Sequence, residues 1–327
     1  MTVQLTIIGL GQIGASIGLA LASQKEVIRR VGHDKEPNNA KRARDMGALD
    51  KVEFNLHAAV QDADLVLLTL PTDQIRETLE QIAEDLKEGA VVMDTAPVKE
   101  IIAAWVAELI PAGRYYIGLT PVLNPAYLHS TDTGLDAAHA DLFKNGLIAI
   151  SAAPRTVSDA VKLAADLTRL LGALPLFADP LEMDGLMAAT HLLPQLLAAG
   201  LLNATLTQPG WREGRKVAGR AYAEATGPIA HMSTAGLAAD AILNGENVLR
   251  MLDSALAALA SIRSDIESHN QEALEERLER ARQGRELWWK QRQAGDWAGP
   301  EAIPTEMPTK SSIFGSLIGL RTKTKKQ

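Results

Sequence analysis

The sequence of 327 residues contains no cysteine, has no excess of basic residues and lacks an uninterrupted apolar run of membrane-spanning length. The missing cysteines exclude disulfide bonds, thiolate metal sites and a cysteine nucleophile. The formal net charge of −7 does not provide the basic field that attracts nucleic acid, so nucleic acid is not expected as a partner. The longest apolar stretch, residues 186–202, contains His191, Pro194 and Gln195 and predicts a buried helix rather than a membrane span.

The chain enters a predicted strand almost at once, which predicts that no signal peptide precedes the fold and favours a cytoplasmic protein. Residues 5–8 are aliphatic and β-branched, and an Ala- and Ile-rich helical segment follows them. Between the two lies G-x-G-x-x-G, formed by Gly9, Gly11 and Gly14. In a dinucleotide site these glycines make a tight turn, admit the pyrophosphate and let the helix pack on the strand. The helix N-terminus then binds the phosphates.

An acidic residue about 20 positions later completes this fingerprint, and Asp34 lies at that place. The combination predicts a dinucleotide site rather than a glycine-rich turn without a ligand. A carboxylate at residue 34 accepts hydrogen bonds from a ribose 2′-hydroxyl and repels a 2′-phosphate, so NAD is favoured over NADP. The cations Lys35, Lys41 and Arg42 could accommodate a 2′-phosphate, which leaves NADP open. We interpret them as the solvated face of the next helix.

From residue 1 to residue 178, predicted strands and helices alternate. Apolar runs such as residues 65–70 are typical of parallel strands covered on both faces. The alternation predicts an α/β fold with a Rossmann-type, doubly wound parallel sheet. Ligands bind outside the carboxyl ends of such strands, and the residues expected to contact the cofactor are Gly9, Gly11, Gln12, Ile13, Gly14, Asp34, Leu70, Pro71 and Asp94. Thr72 and Asp73, which come next to this group, are interpreted as the N-cap of the following helix.

From residue 179 to residue 293 the pattern is all-helical. One predicted helix, residues 182–203, carries Asp184, His191 and Gln195 on one stripe, which indicates a wet cleft or a buried hydrogen-bond network. A later helix has an apolar seam formed by Leu249, Leu252, Leu256, Leu259, Ile262 and Ile266. So much apolar helix in a small domain predicts burial against a second copy of the chain, as a homodimer.

Residues 294–327 are predicted to form a proline-containing linker and a basic amphipathic tail. The apolar residues of the tail are Ile313, Phe314, Leu317, Ile318 and Leu320. Such a segment can lie on an anionic membrane or dock on a partner. We favour the simpler interpretation of a disordered tail.

Several motifs together resemble the prephenate/arogenate dehydrogenase family, the NAD(P)-linked enzymes of tyrosine biosynthesis. The resemblance covers roughly residues 4–292 and rests on GLGQIG with Asp34, ADLVLLTLP, DTAPVK at 94–99, YIGLTPV at 116–122, HLLP at 191–194 and GWREGRKVA at 210–218. It implies hydride transfer with oxidative decarboxylation of a cyclohexadienyl dicarboxylate. In that reaction one group polarises the ring hydroxyl and cations bind the carboxylates.

The departures from the family motifs fall in the part of the site that performs the chemistry. The family's H-P-M, whose His bonds the ring hydroxyl, reads T-P-V from Thr120, and the Ser of D-x-x-S-V-K is Pro97. The His of S-H-L-P is displaced by one place, to His191. The Arg of T-R-I-A is Lys216, which keeps the charge but loses the bidentate fork.

Three interpretations follow for the function. In the first, which we predict, a tyrosine-pathway dehydrogenase has rebuilt its site near Thr120. His191 or the loop residue His129 then acts on the hydroxyl, and Lys216 or Arg212 binds a carboxylate. In the second, a related dehydrogenase takes a different carboxylate-bearing substrate. In the third, the chain is a dinucleotide-binding sensor without catalysis, and His191 is an ordinary buried histidine.

Overall fold

An eight-stranded sheet organises the first part of the chain in this computed structural model, which describes residues 2–153, 156–231, 233–295 and 315–316. The strand order is β3-β2-β1-β4-β5-β6-β7-β8, and every neighbouring pair is parallel except the antiparallel pair β6–β7. The strands are β1 Val3–Ile8, β2 Ile28–His33, β3 Lys51–Val52, β4 Leu65–Leu68, β5 Val91–Asp94, β6 Tyr115–Val122, β7 Leu147–Ser151 and β8 Leu174–Ala178. The strand order reverses between β1 and β4, so the ligand cleft is expected outside the carboxyl ends of these two strands.

Helices cover both faces of the sheet and then continue without strands from residue 180. Along the sheet the helices are α1 Gln12–Ala20, α2 Pro37–Asp45, α3 Leu56–Val60, α4 Thr72–Ile82, α5 Glu100–Leu109 and α6 Ser158–Leu170. After the sheet they are α7 Pro180–Met187, α8 Leu193–Leu206, α9 Trp211–Val217, α10 Arg220–Thr226, α11 Thr234–Leu243, α12 Gly245–Glu267 and α13 Gln271–Ala294. The predicted fold class, a Rossmann-type sheet followed by an all-helical part, is confirmed.

The core of the first part consists of two apolar layers separated by the sheet. In β4, Leu65 and Leu67 pack on one side, while Val66 and Leu68 pack on the other. Successive side chains of a strand point to opposite faces, so a strand buried on both faces must be apolar throughout. This is why residues 65–68 read as a continuous apolar run.

Helices α7 and α8 form one helical run through a wide π-helical turn, Ala188–Leu192. The cause lies in Pro194, which has no amide hydrogen for the carbonyl group four residues earlier and whose ring crowds that carbonyl. The turn contains His191, whose carbonyl oxygen accepts a hydrogen bond of 2.9 Å from Nε2 of Gln195. The predicted single helix over residues 182–203 is therefore present, with a local change of period at His191.

The helical part buries little of its apolar surface within one chain. Its compact apolar cluster consists of Ala188, Leu192, Leu237 and Val248, whereas Leu249 and Leu256 on α12 are 62% and 63% exposed. The run Pro180–Leu206 is long and apolar enough to cross a membrane by length and composition, and only 22% of its most apolar window is buried. The expectation that residues 186–202 form a buried helix is thus wrong for a single chain.

The last two long helices return the chain to the sheet. Nε of Arg277 on α13 lies 2.8 Å from Oδ2 of Asp265 on α12, and Arg292 donates a hydrogen bond to the carbonyl oxygen of Leu123, just after β6. The predicted domain boundaries at residues 178 and 293 stay predictions. Apart from Gly315 and Ser316, which are helical, the predicted linker and tail lie outside the described residues.

Candidate functional site

The turn between β1 and α1 contains one glycine that the fold itself does not require. Gly9 has φ +92°, and a Cβ there would lie 2.5 Å from the carbonyl oxygen of Thr69. A Cβ on Gly14 would lie 2.5 Å from Oγ1 of Thr69 and would also collide with the carbonyl oxygen of Gly9. Gly11, by contrast, has φ −80°, and a Cβ there would meet nothing within 4 Å. The glycine at position 11 therefore keeps space open beside the turn rather than inside the protein.

The same turn presents free backbone donors. Helix α1 begins at Gln12, with Gly11 as its N-cap and without a side-chain cap. The first amide groups of a helix have no partner within it and carry the positive end of the helix dipole. The amides of Gln12 and Ile13 belong to this first turn, next to the space left by Gly11, and are the groups expected to hold a pyrophosphate.

Asp34 connects the end of β2 with the glycine turn. Its Oδ2 accepts a hydrogen bond of 2.7 Å from the amide of Leu10, and its Oδ1 accepts one of 2.8 Å from the amide of Glu36. These bonds fix the half-buried carboxylate at the edge of the cleft and leave lone pairs for a ribose hydroxyl. Two nearby cations are already engaged, Lys35 with Oε1 of Gln74 at 3.3 Å and Arg42 with Oδ1 of Asp136 at 2.5 Å.

The segment after β4 lies between the glycine turn and the helical part. Oγ1 of Thr69 donates to the carbonyl oxygen of Gly9 over 2.5 Å, and the half-buried Leu70 and Pro71 follow. A Cβ on Gly236 of α11 would lie 3.0 Å from Cβ of Pro71, so α11 packs directly on this segment.

The predicted capping roles after β4 are wrong. Helix α4 starts at Thr72, and its N-cap is Pro71, which makes no side-chain capping hydrogen bond. The Thr72 side chain is instead buried, and the exposed Asp73 is a first-turn residue. Proline at the N-cap supplies no side-chain acceptor.

A buried ion pair lies at the carboxyl end of β5. Nζ of Lys99 lies 2.7 Å from Oδ1 of Asp94, which also accepts the amide of Ala96, and Oη of Tyr116 donates to Oδ2 over 2.6 Å. Burial lowers the pKa of Lys99, an effect that the charge of Asp94 opposes. Burial and the same carboxylate raise the pKa of Tyr116. The structure thus places Asp94, a predicted cofactor contact, in the interior with both oxygens bonded to protein groups.

Asp184 on α7 extends this buried cluster into the helical part. Its Oδ1 accepts a hydrogen bond of 2.5 Å from the amide of Lys99, and its Oδ2 accepts one of 3.1 Å from the amide of Glu100. The carboxylate therefore caps α5 from another part of the chain. Nδ2 of Asn244 donates to the carbonyl oxygen of Asp184 over 2.8 Å and ties down the same turn. The polar stripe predicted from the sequence is thus part of a buried hydrogen-bond network at Asp184.

Asp240 on α11 is a second buried carboxyl group next to this cluster. Burial raises the pKa of Asp240 to about 6, the charge of Asp73 acts in the same direction, and the Thr72 hydroxyl and Lys99 oppose the shift. Within the described part of the chain, Oδ1 of Asp240 has no hydrogen-bond partner. The folded chain therefore favours the neutral acid.

We expect an Asp240→Asn variant to remove a pH dependence of stability. Between pH 4 and pH 6 the unfolded chain ionises Asp240 while the folded chain keeps the proton, so the free energy of unfolding falls as the pH rises. The free energy of unfolding of the variant does not fall in this way. Relative to that of the wild type, it should therefore rise by roughly 2–3 kcal/mol between pH 4 and pH 7. Urea denaturation at several pH values measures the difference. A difference that does not change with pH would contradict the assignment.

The residues predicted to perform the chemistry do not meet through direct contacts in the described residues. Thr120 is buried on β6, and its Oγ1 has no hydrogen-bond partner there. His191 is half-buried in the π-helical turn, and burial lowers its pKa. Arg212 and Lys216 are exposed on α9, where Nζ of Lys216 lies 2.6 Å from Oε2 of Glu213. The exposed His129 ring lies 5.1 Å, between centroids, from the ring of Trp289.

Sequence reasoning assigned no role in the site to Lys99, Tyr116 or Asp240, although the DTAPVK and YIGLTPV motifs contain the first two. Lys99 had a signal: it lies five residues after Asp94 in an otherwise apolar stretch at a strand end. A long cation in such surroundings indicates a buried partner. Nothing local in the sequence distinguishes Asp240 from an exposed carboxylate.

Comparison with known proteins finds relatives of the first part of the chain. The family model "Prephenate dehydrogenase, nucleotide-binding domain" matches residues 17–174, from within α1 to the start of β8. Prephenate dehydrogenase of Bacillus subtilis is 25% identical over 198 residues, 60% of this chain and 52% of that protein. Cyclohexadienyl dehydrogenase of Zymomonas mobilis is 27% identical over 200 residues, 61% of this chain and 66% of that protein. The first part of the chain is therefore similar to the nucleotide-binding domain of prephenate and cyclohexadienyl dehydrogenases. The matches span between about half and two thirds of these relatives' own length.

Solved structures of the prephenate/arogenate dehydrogenase family share the fold. Prephenate dehydrogenase of A. aeolicus, in complex with hydroxyphenyl propionate and NAD+, superposes with a TM-score of 0.76 at 19% identity, covering 88% of this chain and 98% of that one. Arogenate dehydrogenase of Synechocystis gives a TM-score of 0.67 at 21% identity, covering 87% and 99%. The likeness covers the helical part as well as the sheet, so the order of the two parts is that of the family's fold.

Proposed function

We propose that this chain is an NAD-linked dehydrogenase of the prephenate/arogenate type. The observation that carries the proposal is the glycine turn, where Gly11 keeps open space in front of the first amides of α1. The likeness to the prephenate dehydrogenase nucleotide-binding domain begins directly after this turn, at residue 17. Bound NAD would accept hydride from the ring carbinol carbon of a cyclohexadienyl dicarboxylate. Loss of CO2 then makes the ring aromatic, and the hydroxyl group becomes that of the phenol.

We infer that His191 acts on the ring hydroxyl in place of the family's His, where this chain has Thr120. Burial lowers the pKa of His191, so the imidazole is neutral at neutral pH and able to accept a hydrogen bond from the hydroxyl. The imidazole makes no hydrogen bond to the described residues, which leaves it available to a substrate. The cations of α9, Arg212 and Lys216, would bind a substrate carboxylate.

The decisive experiment is an absorbance assay of NADH formation with prephenate and arogenate measured side by side. The proposal expects turnover with one of the two acids. Calorimetric binding of NAD+ without turnover on either acid would instead favour the catalytically silent sensor. Turnover only on another carboxylate-bearing alcohol would favour the related dehydrogenase.

We expect His191→Asn to lower kcat by a factor of about 10²–10⁴, the usual cost of removing a general acid–base group. The matched control is His57→Asn, because His57 is exposed on α3 and pairs with Asp85. The control should leave kcat unchanged. An unchanged kcat in His191→Asn would show that His191 has no role in the chemistry.

We propose NAD rather than NADP as the preferred cofactor. The support is the fixed carboxylate of Asp34, which would repel a 2′-phosphate, together with the engagement of Lys35 and Arg42 by Gln74 and Asp136. A lower KM for NAD+ than for NADP+ is the expected result.

We propose further that the helical part forms a homodimer. Besides Leu249 and Leu256, the exposed large apolar residues of α12 are Leu259 and Ile266. Apolar patches of this extent on a helical surface are typical of a protein interface. A mass of one chain at micromolar concentration in analytical ultracentrifugation would contradict the dimer. We infer a soluble, cytoplasmic enzyme, as befits a biosynthetic family.

A further inference from the structure

Phe54 is an exposed aromatic residue at the carboxyl end of β3, on the same edge of the sheet as the glycine turn. Its side chain is 55% exposed and belongs to none of the apolar clusters of the described chain. A single exposed apolar residue is common on protein surfaces, so the position of Phe54 at a ligand-binding edge, rather than its exposure, points to a function.

The position of Phe54 is fixed relative to the end of β2. Gly32 pairs with Val52, and the amide of Glu53 donates to the carbonyl oxygen of Gly32 over 2.9 Å. Nδ1 of His33 lies 3.0 Å from the carbonyl oxygen of Glu53. Asp34 is the first residue after β2 and Phe54 is the second residue after β3, so both lie at the carboxyl ends of two adjacent parallel strands, which are about 4.8 Å apart.

The surroundings of Phe54 leave its ring accessible. Nζ of Lys41 on α2 lies 6.0 Å from the ring centroid, the weak limit of a cation–π contact. On the other side of the segment, Asn55 caps α3 through the amide of Ala58 at 3.0 Å and holds the backbone in place. A planar apolar surface is thus presented to solvent on a firmly held segment.

We propose that Phe54 is a binding residue for the adenine ring of the dinucleotide, which stacks on its exposed face. This inference rests on the proposed function, because it places the adenosine end of NAD beyond Asp34, on the side of β3. If the pyrophosphate lies at Gly11 and the ribose at Asp34, the next group along the cofactor is the base. Purines stack on aromatic side chains, and an alanine substitution removes that contact.

Calorimetric titration of purified Phe54→Ala with three ligands tests the proposal: NAD+, ADP-ribose and nicotinamide mononucleotide. The dissociation constants for NAD+ and ADP-ribose should rise at least about fivefold, because both carry adenine. The constant for nicotinamide mononucleotide, which lacks adenine, should not change. Phe54→Tyr keeps the ring and should bind all three like the wild type.

The matched control is Phe177→Ala. Phe177 is 53% exposed on β8, at the opposite edge of the same sheet, and its removal should change none of the three constants. Wild-type affinity of Phe54→Ala for ADP-ribose, or an equal loss of affinity for nicotinamide mononucleotide, would overturn the adenine contact while leaving the proposed function intact. Absence of NAD+ binding by the wild type would overturn both.

Discussion

A Gly11→Trp variant should fold like the wild type and bind NAD+ at least about 100-fold more weakly. The backbone at Gly11 has a φ of −80° that any residue adopts, and a Cβ there meets nothing within 4 Å. The large side chain would instead occupy the space in front of α1 that the pyrophosphate needs. Calorimetry measures the affinity, and the melting temperature reports the fold.

The matched control for this variant is Gly14→Ala, a much smaller change at a position where the fold has no room. Its Cβ would meet the carbonyl oxygen of Gly9 and Oγ1 of Thr69. We expect the control to lose stability, whereas Gly11→Trp loses affinity alone. Tight NAD+ binding by Gly11→Trp would mean that the dinucleotide lies elsewhere, and the dehydrogenase proposal would fail with it.

A Lys99→Met variant should lose about 3–5 kcal/mol of unfolding free energy, the usual cost of removing one partner of a buried ion pair. The side chains of Lys99 and Asp94 are 1% and 0% exposed, so water cannot replace the lost ammonium group. The hydroxyl of Tyr116 and the amide of Ala96 would then be left to balance the charge of Asp94. Methionine keeps the length and most of the apolar stem, so lost charge rather than lost volume is tested.

The comparison variant is Lys87→Met, which removes the Lys87–Asp64 pair, whose nitrogen and oxygen lie 2.8 Å apart with Lys87 27% exposed. Because water reaches Lys87 but not Lys99, the cost should be smaller than that of Lys99→Met, even though Asp64 itself is 9% exposed. The double variant Lys99→Met with Asp94→Asn should recover part of the stability lost by Lys99→Met, because no unpaired charge remains. Equal costs for Lys99→Met and Lys87→Met in urea denaturation would show that the buried pair is not the stabilising element.

The cofactor half of the site could be predicted because its signals are local. Strand, glycines and helix follow one another within residues 3–20, and Asp34 comes directly after the next strand. Strand β4 could be predicted from the apolar run at residues 65–70, because both of its faces are buried. The two-residue β3 is too short to show a pattern, and Pro175 within the apolar but largely exposed β8 argues against a strand there.

The polar cluster between the two parts of the chain could not be predicted, because its contacts are distant in sequence. Asp184 bonds amides 84 and 85 residues earlier, and no periodicity reports such a pairing. The stripe through Asp184, His191 and Gln195 assumed a constant helical period, which the turn at residues 188–192 interrupts. The wrong N-cap assignment at Thr72 has a similar origin. Helix α11, which is distant in sequence, packs on Pro71 at the start of α4.

Because Asp184 of α7 caps α5, two backbone amide protons report on the separation of the helical part from the sheet. The amides of Lys99 and Glu100 point at a carboxylate from a distant helix, so exchange of their hydrogens with deuterated solvent requires that helix to withdraw. Their exchange rates therefore measure the opening of the joint, with or without cofactor, independently of any catalytic turnover.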